Sequence, residues 1–452
     1  MDDHLPQRFI FVFGLLFGGG LVFLSPPFSA PDELAHFYRA YHCSQGKLYA
    51  CKRDGHTGDD LPSSLAETYV AIADQVGDKT RFEISRAKIT KALGIALDPQ
   101  RQQYVIFVNT ALYSPVPYLP QSAVIWAARF WRPAPLMILY LARVANLIVY
   151  LLLAAAAVRL MPIHKWTMAM VALIPVSVYL AASLSADAVT LGLSMLIVAL
   201  TLKLALGSDR PSRRSLLALG LLLVLLALSK QAYVGLAALF LLVPSKKFSS
   251  PGRRWLIAAL MIGLPLAVDA AWTYSLRGLY VPILPFVDPQ AQLQWVLDHP
   301  WNYAVMVFTA ICQVDNYSYM IGLFGWLGLH LPHWIRETYW AALGLTALLD
   351  GGQPLPLGLR AKAVALGTYV FTFTVMATFI YLSWERVGLQ NIEGIQSRYL
   401  LPILPLLLLL PHGSAKLASS WFSRAVVPVI AMLITVLAAG CTWWQFVKTY
   451  FL

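Results

Sequence analysis

The stretch from Phe9 to Pro31, FIFVFGLLFGGGLVFLSPPFSAP, contains no charged residue, and Asp32 follows it directly. About 20 consecutive apolar residues are enough for an α-helix to cross the hydrocarbon core of a bilayer. The stretch therefore predicts a first transmembrane helix within residues 1–30. A cleaved signal peptide is the alternative, but the apolar core is long, a convincing small-x-small cleavage site is missing, and many more apolar runs follow.

The composition of the whole chain also indicates a membrane protein. Of its 452 residues, 58% are apolar and only 12% are charged, whereas a soluble domain carries about 25% charged residues. A cytosolic enzyme, a disordered protein and a disulfide-stapled secreted domain are excluded. The net charge of +12 does not predict a nucleic-acid partner, because Lys and Arg fall in short loops between apolar runs, as the positive-inside bias places them.

Uncharged runs recur along the chain and predict an all-α polytopic membrane protein. Residues 115–131 contain three prolines and residues 301–349 are broken by ionisable side chains, so these two regions are ambiguous. The sequence predicts about 11 transmembrane helices, or about 13 if both ambiguous regions cross. After the first helix, the predicted spans lie near 137–160, 166–186, 188–206, 215–229, 231–245, 255–276, 363–384, 399–412 and 425–446.

The apolar runs divide the chain into segments, and its basic loops orient them. Clustered Lys and Arg in alternate short loops predict the cytoplasmic side, so the N-terminus is expected inside. The predicted segments are the first transmembrane helix (1–30), a large extracytoplasmic loop with amphipathic or juxtamembrane helices (31–136), a central transmembrane bundle (137–276), an extracytoplasmic or partly inserted segment (277–335) and the C-terminal transmembrane helices (336–452).

A polar motif, PDELAHFYR from Pro31 to Arg39, directly follows the first predicted span. On a helix, Asp32 and Glu33 share a face with His36, at spacings of four and three residues. A carboxylate held at a membrane surface can act as a general base toward a hydroxyl. Two alternatives stay open: a helix cap with a solvated face, and metal ligation by these three side chains.

Further ionisable residues stand out against the apolar background. Such residues at membrane depth are costly and are functional candidates by default. Asp187, Lys230 and Arg398 lie at or near predicted outer span ends, whereas Arg143 and Asp269 lie inside spans. Snorkelling to lipid headgroups is the alternative for Lys230 and Arg398. An ion pair between Arg143 and Asp269 is one way to satisfy both charges.

Cysteines and aromatic residues of the outer segments allow two interpretations each. Cys43 and Cys51 are predicted to form a disulfide that closes a small loop in an oxidising compartment, and two free thiols are the alternative. Aromatic side chains near the outer span ends, such as Trp272 and Tyr274, are typical of an interfacial belt, and stacking on sugars is the functional alternative for a subset.

The motifs occur in a characteristic order along the chain. Pro26-Pro27-Phe28 precedes the motif with Asp32, Glu33 and His36. They are followed by YSPVPYLP (113–120), LYLARVAN (139–146), SLSADA (183–188), Ser229-Lys230 and GIQSRYLLP (394–402). This order resembles the GT-C superfamily of integral-membrane glycosyltransferases and, in particular, the bacterial DUF2142 family. The resemblance covers most of the chain and implies a GT-C-like bundle in the bacterial inner membrane.

The resemblance also implies a chemistry. A GT-C enzyme takes a sugar from a polyprenyl-phosphate donor on the extracytoplasmic side and transfers it, with inversion, to an acceptor, here a lipid or glycan of the cell envelope. It implies that Asp32 is the general base, with Glu33 beside it in the Asp-Glu motif. Lys230, Arg398 and Arg143 are expected to bind the donor phosphate.

For Asp187, the resemblance implies acceptor or metal binding, and the same role is expected for His36, whose side chain type and place beside Asp32 and Glu33 suit a metal ligand. No cofactor is certain, and a divalent cation, Mg²⁺ or Mn²⁺, is left open. The expected partners are the sugar donor, the acceptor and membrane lipids, with no nucleic acid.

Two other functions would use the same charges. The first is a transporter or flippase of a lipid-linked saccharide, which an inverted repeat with matching broken spans would favour; no such repeat is evident. The second is an O-antigen-type polymerase or ligase, which would concentrate its catalytic residues in a late external loop. Here the leading motif follows the first span, which favours the glycosyltransferase.

Overall fold

The computed structural model describes residues 4–73, 85–326, 328–350, 357–412 and 421–452. Its α-helices are α1 (Leu5–Leu24), α2 (Glu33–Ser44), α3 (Ser63–Ile72), α4 (Arg86–Leu93), α5 (Val108–Ala111), α6 (Leu119–Ala128), α7 (Pro135–Leu160), α8 (Lys165–Ala172), α9 (Pro175–Ala181), α10 (Asp187–Leu206), α11 (Arg213–Ser229), α12 (Pro251–Ser275), α13 (Pro289–Asp298), α14 (Pro300–Cys312), α15 (Val314–Gly322), α16 (His333–Leu349), α17 (Leu359–Trp384), α18 (Leu404–Leu408) and α19 (Trp421–Tyr450). The 3-10 helices span Val116–Tyr118, Gln231–Leu242, Ser245–Lys247 and Ser397–Leu400.

The protein is an all-α polytopic membrane protein, as the sequence predicts. Among the described residues, six helices are long and apolar enough to cross a membrane. They are α1, α7, α10, α12, α17 and the part of α19 from Arg424 to Tyr450. This number is smaller than the predicted number of about 11 to 13 spans.

The difference arises because several apolar runs are broken into short elements, and because the run at 215–229 forms a continuous helix, α11, of only 17 residues. The run at 166–186 forms α8 and α9, with α9 beginning at Pro175; proline lacks the N–H that would continue the helical hydrogen bonding. Residues 231–245 contain a 3-10 helix, Gln231–Leu242, and the run at 399–412, with Pro402 and Pro405, contains the end of the 3-10 helix Ser397–Leu400 and the short helix α18. Irregular backbone at membrane depth is tolerated where surrounding protein buries it.

In the residues that the structure describes, neither of the two ambiguous regions forms a long apolar helix. Residues 115–131 contain a 3-10 turn followed by α6. Residues 301–349 hold most of α14, then α15, a two-stranded antiparallel hairpin of β4 (Leu323–Phe324) and β5 (Leu329–His330), and α16.

The described residues between α1 and α7 fold as a cap on the bundle. The cap contains a three-stranded antiparallel sheet, β1 (Cys51–Arg53), β2 (His56–Pro62) and β3 (Gln102–Ile106), with β2 in the middle. Its apolar core, which includes Phe37, Leu61 and Val105, continues into Leu139 at the start of α7. This shared core packs the cap against the bundle.

The predicted disulfide of the cap does not form in this structure, where Cys43 and Cys51 are both free. Cys43 lies on α2, whereas Cys51 begins β1 and pairs in register with Gly58. The Cys51 Sγ atom lies 3.9 Å from Asp59 Oδ1. The two thiols are therefore held on separate elements, and the alternative of free thiols describes the structure.

A buried ion pair between Glu33 and Arg143 connects the cap to the bundle. Arg143 Nε lies 2.8 Å from Glu33 Oε1, Nη2 lies 2.6 Å from Oε2, and both side chains are fully buried. The remaining guanidinium N–H groups donate to three backbone carbonyls at and after the end of α1, those of Val22, Ser25 and Pro26, at 2.8–2.9 Å.

The Glu33 carboxylate is satisfied just as completely. It accepts hydrogen bonds from the backbone N–H of Phe28 at 2.8 Å and from that of Leu184, before α10, at 3.0 Å. Arg143 thus pairs with Glu33 and not with Asp269. The predicted roles of Glu33 in catalysis and of Arg143 in phosphate binding do not agree with this geometry, because neither side chain has an atom left to offer to a ligand.

Removing one charge of this ion pair should destabilise the folded protein far more than removing both charges. We expect Glu33→Gln and Arg143→Met each to lower the free energy of unfolding by about 3–5 kcal/mol, because each leaves one buried charge unpaired. The double variant should lose less than the sum of the two single variants. Thermal unfolding of the purified protein in detergent measures these differences, and single variants as stable as wild type would contradict the expectation.

Candidate functional site

A cavity of about 700 Å³ lies where the cap meets the bundle. It takes residues from the N-terminal ends of α2 and α10, from the C-terminal ends of α11 and α12, and from α17 and the 3-10 helix Ser397–Leu400. Besides several tyrosines and one other arginine, six ionisable residues line it: Asp32, His36, Asp187, Lys230, Asp269 and Arg398. We therefore call it the charged cavity.

Five of the residues that the sequence predicts for the site line this cavity, namely Asp32, His36, Asp187, Lys230 and Arg398. Their convergence follows from their places at helix ends. Asp187 is the first residue of α10 and Lys230 directly follows the last residue of α11. Two consecutive helices that pack against each other bring such ends together when they run antiparallel, and the ion pair between Lys230 and Asp187 shows this arrangement.

Asp32 presents its carboxylate to the cavity instead of capping α2. Its backbone is left-handed, with φ of 59°, and its side chain makes no capping hydrogen bond. Asp tolerates this conformation better than most residues. Asn109 Nδ2 donates to Asp32 Oδ1 at 2.6 Å, and Arg398 Nη2 lies 3.9 Å from Oδ2. The side chain remains 31% exposed, so Oδ2 is accessible to a ligand in the cavity.

Asp187 lies between two cations of the cavity, Lys230 and Arg398. Its Oδ1 pairs with Lys230 Nζ, and its Oδ2 lies 3.7 Å from Arg398 Nη1. The ring of Tyr399 lies 5.2 Å from Lys230 Nζ and 5.3 Å from the Arg398 guanidinium carbon. The side chains of Lys230 and Arg398 are only 14% and 11% exposed. Snorkelling toward headgroups therefore does not describe these cations, which turn inward to the carboxylates.

His36 is neutral in this environment. Its Nδ1 lies 2.8 Å from the hydroxyl of Tyr118. Burial lowers the pKa of His36 from 6.5 to about 4; the carboxylates of Asp32 and Asp187 act in the opposite direction, and Lys230 and Arg398 lower the pKa further.

Because His36 is neutral, the charges beside it are those of the two cations and the two carboxylates. Lys230 and Arg398 carry two positive charges against one negative charge on Asp187, and the remaining positive charge, on Arg398, faces Asp32.

The residues of the cavity do not fit a divalent cation. Oδ1 of Asp32 and Nδ1 of His36 have hydrogen-bond partners, and both oxygens of Asp187 face the cations of Lys230 and Arg398. Within the described ranges, no group of three or more His, Cys, Asp and Glu side chains could hold a metal ion. A divalent cation would have to displace Lys230, whose ammonium already compensates Asp187.

Several residues of the cavity were not identified from the sequence. Asn109 could not be identified from the sequence, because a polar, uncharged residue does not stand out within a polar segment. Tyr399 directly follows Arg398 in the GIQSRYLLP stretch, so the motif did hold a signal for it. Gln231 and Thr273 lie within apolar runs and become visible only when the helices are assembled.

Fold and cavity together define a multi-pass helical membrane protein with a charged, partly apolar binding cavity. A family model described as a predicted membrane protein, DUF2142, matches residues 15–407, and the chain belongs to this family. The match includes every ionisable residue of the charged cavity. No curated protein and no solved structure matches the chain.

The buried, neutral His36 should make the protein sensitive to acid. The pKa of His36 is lower in the folded protein than in the unfolded chain. Between pH 6.5 and pH 4 the imidazole therefore binds a proton in the unfolded chain but not in the folded protein. Stability should therefore fall between pH 6.5 and pH 4, by up to roughly 3 kcal/mol, and level off below.

The variant His36→Gln, which does not titrate, isolates this effect. Burial also lowers the pKa of His42 to about 4, but His42 is present in both proteins, so only His36 contributes to their difference. We expect wild type to lose more stability than His36→Gln between pH 7 and pH 4 in thermal unfolding scans. Equal losses would show that His36 does not carry this dependence.

Proposed function

We propose that this protein is a glycosyltransferase of the GT-C type. It moves a sugar from a polyprenyl-phosphate donor to a lipid or glycan acceptor on the extracytoplasmic side of the membrane. The observation that carries the proposal is the arrangement in one cavity of an accessible carboxylate, Asp32, and two inward-facing cations, Lys230 and Arg398. Transfer from a phosphate donor needs a base for the acceptor and positive charge for the leaving group.

The proposed reaction is a single displacement at the anomeric carbon. The acceptor oxygen forms a bond to this carbon, and its proton passes to Oδ2 of Asp32. The bond between the anomeric carbon and the phosphate oxygen breaks, and its electron pair leaves with the polyprenyl phosphate. Attack from the side opposite to the leaving group inverts the configuration.

Lys230 and Arg398 would stabilise the negative charge that develops on the leaving phosphate. Fixed cations in a site shielded from water are effective because they need no reorganisation during the reaction. Asp187 holds both in place through its two oxygens. Once Asp32 has taken up the proton of the acceptor, the two cations face only the carboxylate of Asp187, so one positive charge is left for the phosphate.

The apolar part of the cavity supports a lipid-linked substrate. Met376, Phe379 and Ile380 of α17 line it beside Leu276. Phe379 is 47% exposed, and α12 and α17 present further apolar side chains outward, such as Leu264 and Phe371. A polyprenyl chain could therefore stay in the bilayer while its phosphate enters the charged cavity.

Asp32→Asn tests the base. Asn also tolerates the left-handed backbone, so the variant should fold, but it cannot accept the proton. We expect sugar transfer from a panel of polyprenyl-phosphate sugars, by protein in lipid nanodiscs, to fall by about 100- to 10,000-fold. The matched control is Asp60→Asn, because Asp60 lies in an exposed ion pair with Arg53 outside the cavity.

The outcomes of this assay separate the candidate functions. Transfer that survives in Asp32→Asn would assign the base elsewhere. No transfer by wild type from any donor, with lipid-linked sugar binding intact, would favour the transporter or flippase. Transfer of whole oligosaccharides from a polyprenyl-diphosphate donor would favour the polymerase or ligase.

Lys230→Met tests the phosphate site. A charge-assisted hydrogen bond contributes about 1.5–3 kcal/mol, so the Kd for polyprenyl phosphate should rise about 10- to 100-fold. Lys230→Arg, which keeps the charge, should recover part of the affinity, and Lys246→Met, at an exposed position of the 3-10 helix Ser245–Lys247, should leave it unchanged. Unaltered affinity in Lys230→Met, measured by titration in nanodiscs, would remove Lys230 from the phosphate site.

A further inference from the structure

We infer that the face of α12 in the charged cavity is a sugar-recognition subsite, built around Asp269 and Trp272, that binds the hydroxyl groups of the transferred sugar. This inference rests on the proposed function and deepens it. It gives the cavity two parts: a cationic part, with Lys230 and Arg398, for the phosphate, and an aromatic and polar part on α12 for the sugar.

The spacing of the α12 residues places them on one face. Asp269, Trp272, Thr273 and Leu276 follow the spacings of three, four and seven residues that align side chains along a helix, and all four line the cavity. Asp269 lies inside a transmembrane segment, where a carboxylate is costly and marks a functional position.

Asp269 has an unused hydrogen-bond acceptor in this place. Its Oδ1 is buried and, within the part of the chain that the structure describes, has no hydrogen-bond partner. A buried polar atom without a partner is destabilising, because the hydrogen bond to water that it loses is not replaced. A ligand hydroxyl that donates to Oδ1 would recover this free energy, whereas a ligand without a hydroxyl would leave the penalty in place.

Gln231 and Thr273 extend the polar surface toward the phosphate cations. Gln231 Nε2 donates to Thr273 Oγ1 at 2.5 Å, and both residues line the cavity together with Asp269. Gln231 directly follows Lys230 in the chain. The polar groups of α12 therefore begin next to the cation that would hold the phosphate, where the sugar attached to that phosphate would lie.

Trp272 supplies a rigid aromatic surface beside these groups. Its Nε1 donates to the backbone carbonyl of Leu112 at 3.1 Å, and Tyr49 of the cap stacks on its ring, with centroids 5.5 Å apart and planes 16° from parallel. A pyranose presents apolar C–H groups on its faces and hydroxyls at its edge. A fixed aromatic ring next to a carboxylate, an amide and a hydroxyl matches both properties.

The experiment compares two ligands that differ only in the sugar: a short-chain polyprenyl phosphate and the same lipid phosphate carrying one hexose. Wild type in nanodiscs should bind the hexose-bearing ligand about tenfold or more tightly, a difference of about 1.4 kcal/mol. In Asp269→Leu this preference should disappear, while affinity for the lipid phosphate alone stays unchanged. Leu is favourable within a transmembrane helix, so the variant should fold.

A matched pair of threonine variants sharpens the result. Thr273→Val should reduce the preference for the hexose-bearing ligand, and Thr338→Val, on an exposed position of α16, should not. An unchanged preference in Asp269→Leu would overturn the subsite. Equal binding of both ligands by wild type would overturn the subsite and leave the proposed function standing. Binding of neither ligand would overturn the proposed function, and the subsite with it.

Discussion

The bidentate ion pair between Glu33 and Arg143 is the contact on which the arrangement of cap and bundle depends. It joins the end of α1, the start of α2, the body of α7 and the turn before α10, with every polar atom of the two side chains engaged. Two charges removed from water require such complete pairing, because the desolvation penalty is otherwise not recovered. The pair therefore fixes Asp32, one residue before Glu33, at the edge of the cavity.

The charge balance of the cavity follows from the same constraint. With α2 fixed, Asp32 faces Arg398, while Asp187 at the start of α10 faces Lys230 and Arg398 together. His36, neutral and bonded to Tyr118, adds no charge. The cavity thus keeps Asp32 accessible beside the cations of Lys230 and Arg398. This combination, beside the apolar wall of α17 and the polar face of α12, would suit a ligand with a lipid tail, a phosphate and a sugar.

Much of the fold could be predicted from the sequence, because apolar runs report directly on residues that avoid water. The positions of the first span and of the helices α7, α10, α12, α17 and α19 agree with the predicted runs to within a few residues. The number of spans could not be predicted. Hydropathy does not reveal whether a run such as 166–186 is continuous or divided at Pro175, since the surrounding protein decides whether a broken backbone is buried.

The sequence by itself determined that the protein lies in a membrane. It also made Asp32, Asp187, Lys230 and Arg398 candidates for one site, because ionisable residues at membrane depth are energetically costly and usually functional. Only the tertiary structure decided which of them share a cavity. Asp32 and Glu33 are neighbours in the chain, yet their side chains point to different surroundings, one to the cavity and the other to Arg143. Likewise, Asp269 has its place beside Gln231 and Trp272, and not beside Arg143. Partners are chosen by the packing of distant helices, and a linear sequence does not specify which helix faces meet.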